Sequence, residues 1–127
     1  MTPNNAIFRK VMSICKKNAR SFDYLPKGDE EYPFIFVGNV NSEDENNSDL
    51  IGVSNVDLDV YGLRSDRNTL DVIQMSLNNE FIRLDEAFNY NVRVTRIVAD
   101  VRPDNTDTQP LLRVMFRLTI EYTKKER

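Results

Sequence analysis

The sequence predicts a two-layer α+β domain: a mainly antiparallel four-stranded sheet with two helices packed on one face, in the order α-β-β-α-β-β. Two kinds of spacing predict it. In residues 4–20 (NNAIFRKVMSICKKNAR) and 65–84 (SDRNTLDVIQMSLNNEFIRL) the apolar residues recur at helical steps, as on a helix with one buried side. In residues 51–63 (IGVSNVDLDVYGL) and 111–122 (LLRVMFRLTIEY) they alternate, as on a half-buried strand. The third observation is size. The 127 residues suit one domain, 1–127, which can bury a core without a disulfide or a metal.

Each element follows from its own residues. The first helix sets Ile7, Val11, Ile14 and Cys15 on one stripe, with Phe8 and Met12 beside it. Lys10, Lys16, Lys17 and Arg20 cover the other side. Asn4 or Asn5 is expected to cap its start, and the late cations suit the negative end of its dipole. Residues 21–33 (SFDYLPKGDEEYP) hold Pro26, Gly28 and Pro33 and are expected to be irregular. Residues 34–40 (FIFVGNV) are aromatic and β-branched and read as a buried strand. Residues 41–49 (NSEDENNSD) have no apolar anchor. They are expected to be a mobile loop, because nothing offsets an ordering entropy of about 1–2 kcal/mol per residue.

In the next strand Val56, Leu58 and Val60 point one way; Asn55, Asp57, Asp59 and Tyr61 point the other. Gly62 is expected to end it. The second helix places Leu70, Ile73, Leu77, Phe81 and Leu84 on one face, with Ser65 or Asn68 as cap and Asp71 in the first turn. Residues 92–101 (VRVTRIVADV) form a third strand and 102–110 (RPDNTDTQP) a polar connection. The fourth strand, 111–122, puts Leu112, Val114, Phe116, Leu118, Ile120 and Tyr122 on one face. Arg113, Met115, Arg117, Thr119 and Glu121 take the other. The basic tail 123–127 (TKKER) is expected to fray.

Composition narrows the chemistry. The chain has no histidine, so the commonest general base, the commonest zinc ligand and the Ser-His and Cys-His pairs are all missing. Its single cysteine, Cys15, lies on the apolar stripe of a helix and reads as a small buried hydrophobe. With a net charge of -3 the whole molecule has no basic footprint for nucleic acid. The four scattered glycines form no phosphate loop. No apolar run reaches membrane-spanning length and no leader is evident at the N-terminus, so a soluble protein made in the cytoplasm is expected. The sequon at Asn46 is then a chance match.

Asp57 and Asp59 raise the sharpest question. Two carboxylates two residues apart on a strand share a face, roughly 7 Å apart. That spacing could hold Mg²⁺, as a small nuclease would require. The plainer reading is an exposed strand face, or a charge ladder with Arg113 and Arg117 across the sheet, and it is preferred because no Lys or His accompanies the pair. Arg64, Arg67, Arg93, Arg96, Arg102 and Arg113 are interleaved with Asp66, Asp71, Asp100 and Asp104, which reads as a mixed solvated surface. Phe34, Phe36, Phe81, Phe116 and Tyr122 are expected in the core. Tyr24, Tyr32 and Tyr61 are less securely buried and could serve an interface. No catalytic residue, metal or cofactor is expected.

The stretch FDYLPKGDEEYPFIFVGN, then a polar loop, then IGVSNVDLDVYGLRSDRNTLD resembles a known family. It is similar to the tail terminator, or head-tail joining, proteins of long-tailed phages of Gram-positive bacteria, also called minor capsid or tail-completion proteins. The resemblance spans roughly residues 4 to 85. It rests on the Asp23-Tyr24-Leu25-Pro26 turn, the entry Tyr32-Pro33-Phe34, the alternating strand ending Val60-Tyr61-Gly62, and the helix after Arg64-Ser65. It implies a structural, non-enzymatic subunit that closes a homohexameric ring on the finished tail tube, stops polymerisation and meets the head connector. DNA would pass through the ring without sequence-specific binding, and the protein would reside at the head-tail junction of the virion. On this view Asp57, Asp59 and Tyr61 either line the lumen, where carboxylates repel DNA, or face a neighbouring copy's Arg113 and Arg117, or Arg93 and Arg96. The loop with Glu43, Asp44, Glu45, Asn46 and Asn47 is a candidate docking segment. A head-completion or stopper protein is the near alternative, and an Mg²⁺-dependent nuclease on Asp57 and Asp59 the distant one.

Overall fold

A computed structural model describes residues 1–27, 31–44, 51–105 and 109–125. In chain order they form α1 (Pro3–Asn18), β1 (Arg20–Phe22), β2 (Phe34–Asp44), β3 (Ile51–Leu63), a 3-10 turn (Arg64–Asp66), α2 (Arg67–Ile82), β4 (Glu86–Ala87), β5 (Tyr90–Asp104) and β6 (Leu111–Lys124). The strands make one sheet in the order β1-β2-β3-β6-β5-β4. The α+β class and the two helices are as the spacing predicts. The sheet is not the expected four-stranded antiparallel one: it has six strands and is mixed, because β1 runs parallel to β2. The four long strands are the expected ones. The additions are short pieces that cover the ends of the two outermost long strands, where backbone groups would otherwise lack partners. Arg20, expected on α1, begins β1, so residues 20–22 are not irregular.

Thr2 caps α1, its Oγ1 accepting from the Asn5 N–H at 3.2 Å. The expected caps Asn4 and Asn5 lie inside the helix instead, because Pro3, which has no N–H to satisfy, starts it. At the other end the Asn18 amide donates to the Ile14 carbonyl at 2.9 Å and to Glu80 of α2 at 2.7 Å, tying the helices together. α2 also starts differently from expectation. Asp66 accepts the Leu63 N–H at 2.9 Å and stabilises the 3-10 turn, so neither Ser65 nor Asn68 caps the helix and Asp71 lies beyond its first turn. Its predicted apolar face is correct: Leu70, Ile73, Leu77 and Phe81 are buried, as is Leu84 just after it.

β3 and β6 pair over their whole lengths, from Ile51 opposite Thr123 to Leu63 opposite Leu111. β3 runs one residue past Gly62. Val56, Leu58, Val60 and the apolar side of β6 meet the helices in the main core. β5 carries a bulge between Val94 and Arg96. After it Ile97, Ala99 and Val101 stay in step with the helix-facing residues of β6. Arg96, Val98, Asp100 and Arg102 share the outer face with Thr119, Arg117, Met115 and Arg113.

Several further expectations are corrected. Phe34 is buried as expected, but Ile35 and Val37, not Phe34 and the half-buried Phe36, face the main core. Phe34 is buried in a second cluster on the outer face with Tyr61 and Leu111, and Phe36 packs beside it. Tyr61 is accordingly buried, not a loosely held surface residue. Asn41–Asp44 are the end of β2, paired with Gly52–Asn55, because the antiparallel ladder satisfies their backbone. The rest of the expected loop, Glu45, Asn46 and Asn47 included, lies outside the described residues. Arg102–Asp104 belong to β5, and Thr123 and Lys124 to β6, whose end is held by the Lys125 N–H on the Asn89 carbonyl at 2.9 Å.

Candidate functional site: the outer face of the sheet

The face away from the helices holds most of the candidate residues, because alternation on β3 and β6 sends them there together. Asp57 lies directly opposite Arg117, and Tyr61 opposite Arg113. Arg117 grips Asp57 with two parallel bonds, Nε to Oδ1 at 2.8 Å and Nη2 to Oδ2 at 3.2 Å. Arg113 reaches diagonally to Asp59, Nη2 to Oδ2 at 3.0 Å, and lays its guanidinium over the Tyr61 ring at 5.5 Å. Hydrogen bonding to the carboxylates, Asp59 and Asp57 respectively, pushes both arginines further up in pKa. Burial raises Tyr61, with Arg113 opposing the shift.

Further along, Arg93 pairs with Glu121 at 3.1 Å and Arg102 with Asp100 at 2.7 Å. Asp57, Asp59, Asp100 and Glu121 thus each have an arginine. Arg96 makes no ion pair among the described residues. It stands at the side of a groove of about 450 Å³ whose lining includes Val98, Met115 and Thr119 between the Asp57–Arg117 and Asp59–Arg113 pairs.

At the end of the same face sits an aromatic stack. The ring centroids of Tyr61 and Phe34 are 5.2 Å apart, those of Phe34 and Tyr32 5.4 Å, and those of Phe34 and Phe22 6.0 Å. Tyr24 extends the stack to the surface and stays exposed.

Of the predicted residues, Asp57, Asp59, Tyr61, Arg113 and Arg117 form one constellation, and Arg93 and Arg96 share their face. Glu43 and Asp44 do not join them. They lie near the end of β2, opposite Val53 and Gly52, and Asp44 accepts from the Tyr122 hydroxyl. Val98 and Asp100 were not predicted at the groove, since their facing depends on a bulge that periodicity does not announce. The only cue is the run Arg96-x-Val98-x-Asp100-x-Arg102, which alternates in step only if counted from after Thr95.

Both central carboxylates are engaged by guanidinium groups, which a metal would have to displace. Among the described residues no three Asp, Glu, Cys or His side chains gather as metal ligands. Cys15 lies on the helix side, and burial, with Glu80 adding to it, pushes its thiol up to about 12, far from nucleophilic. No helix among the described residues is long and apolar enough to cross a membrane. No protein-family model matches the chain, and no curated protein matches it.

Proposed function

We propose that this protein is a structural subunit that closes a homo-oligomeric ring, a hexamer in the family it resembles, on the end of a phage tail tube. There it stops tube growth and offers the head connector a surface to join. It would act in the virion without a cofactor and without catalysing a reaction, and DNA would pass it unread. The resemblance of residues 4 to 85 supplies the role. The observation that carries it is the outer face, where Asp57 and Asp59 are held by Arg117 and Arg113 in a pre-ordered, charge-compensated surface. Such a face suits contact, because its polar groups are already fixed and lose little freedom on binding.

The same pairing refines the part given to the carboxylates. With their charge matched inside the chain, Asp57 and Asp59 order a surface more than they repel DNA or wait for a neighbour's arginines. It also weighs against the nuclease, which needs both carboxylates free for Mg²⁺. The stopper reading differs only in which end of the junction the ring meets.

The test is addition of purified protein to growing tail tubes, read by electron microscopy. Tubes that stop at a ring-shaped cap support the terminator. Binding to capsid connectors but not to tubes favours the stopper. Mg²⁺-dependent cleavage of plasmid DNA that disappears in Asp57→Ala overturns both.

A further inference from the structure

β5 is 15 residues long, yet β4 covers only its first two, Tyr90 and Asn91. Among the described residues nothing pairs with the outer edge from Arg93 to Asp104. The bulge before Arg96 guards one end of this edge and Pro103 the other, but the regular stretch between them, residues 96–102, is long and carries its charges on one face alone. Val98 on one face is 41% exposed and Val101 on the other 42%.

The direction of the free backbone groups can be assigned. The Val92 N–H donates outward, to the Asp85 carbonyl at 3.0 Å, and Val92 faces the helices. In a strand, residues on one face point their N–H and C=O the same way. The bulge interrupts this alternation in β5 but not in β6, and Ile97, Ala99 and Val101, like Val92, lie opposite helix-facing residues of β6, so they too offer theirs to the open edge. Pro103 falls in the same set, as a proline in a sheet must when its missing N–H would face outward.

We propose that this edge is a homodimer interface, in which β5 of two copies pair antiparallel about a two-fold axis at Val98. A two-fold pair centred there sets Val98 against Val98 of the second copy. It puts Arg96 directly opposite the second copy's Asp100, and Asp100 opposite the second copy's Arg96. Ile97 and Ala99 exchange backbone hydrogen bonds with the second copy's Ala99 and Ile97. Arg96, which makes no ion pair among the described residues, thus meets a carboxylate in each of two contacts, on either side of a closely spaced apolar pair. Centring on Val101 sets Asp100 against Arg102, which already pair within the chain, and leaves Arg96 unmatched. Centring on Ala99 sets Arg96 against Arg102, and centring on Asp100 sets that carboxylate against itself. The complementarity is isologous, so it closes at two copies. It is independent of the ring reading.

Sedimentation or native mass spectrometry over a concentration series tests it, with Arg96→Asp, Asp100→Arg and the double swap. Each single change replaces two opposite-charge contacts by two like-charge ones and should weaken the dimer by about tenfold or more. The double swap restores both contacts between copies, although it removes the carboxylate that Arg102 pairs with inside the chain, and should bring most of the dimer back. Ala99→Pro should abolish it while the monomer keeps its fold by circular dichroism, since the lost N–H belongs to the open edge and not to the ladder with β6. A wild-type chain that stays monomeric, a dimer indifferent to Arg96→Asp, failed rescue by the swap, or a ring alone that ignores these changes would each overturn the proposal.

Discussion

Asp59 and Arg113 form the more sheltered of the two ladder pairs: the Asp59 side chain is 13% exposed and Arg113 34%. The guanidinium is held between that carboxylate and the Tyr61 ring, and its Nε is buried with no hydrogen-bond partner among the described residues. Arg113 thus relies on Asp59 for its compensation. Asp59→Ala should cost about 1–3 kcal/mol, the range for leaving a buried polar group unsatisfied. Asp57→Ala should cost less, since Arg117 then turns to water. Urea unfolding of both variants at unchanged m measures the difference, and equal losses would show that burial does not separate the pairs.

One residue along β3 the effect should change in kind. Leu58 is fully buried in the main core. Leu58→Ala removes its contacts with the layer beneath and leaves a cavity, costing about 2–5 kcal/mol. Thermal unfolding followed by circular dichroism would read this as a large fall in Tm. A loss no bigger than that of Asp57→Ala would contradict the assigned facing of the strand.

The helix start offers a smaller and cleaner test. Thr2→Ala removes the one side-chain acceptor at the N-terminus of α1 and should cost about 0.5–2 kcal/mol. Thr2→Ser keeps the oxygen and should recover most of it. If Thr2→Ser is as unstable as Thr2→Ala, the cap contributes through the methyl group and not through its hydrogen bond.

Cys15 predicts an alkaline limb in the stability profile. Its thiol is raised from the ordinary 9.0 to about 12 in the folded chain. Between those values the folded state keeps a proton that the unfolded state has released. This contribution is therefore full below pH 9.0 and is lost as pH rises toward 12. Denaturant titrations of wild type and Cys15→Ala across that interval should diverge, with the wild type falling more steeply. The folded thiol should also react with alkylating reagents only as fast as the chain opens. Rapid labelling of native protein would show that the helix layer does not seal it.

The sequence by itself determined the pieces and their facing. The period of Ile7, Val11 and Ile14, that of Leu70, Ile73, Leu77 and Phe81, and the alternation along β3 and β6 are written in near neighbours, and near neighbours set helix and strand. That alternation already put Asp57, Asp59, Arg113 and Arg117 on one face, as a possible ladder. Only the tertiary structure decided which carboxylate meets which arginine, because register depends on residues about sixty positions apart and shifts without changing any local pattern. It also decided the outer-face burial of Phe34, the bulge that turns Val98 and Asp100 toward the groove, and the two short strands at the edges. Each of these settles how backbone groups and apolar rings find partners across the sheet, a condition on the assembled layers that no single segment contains.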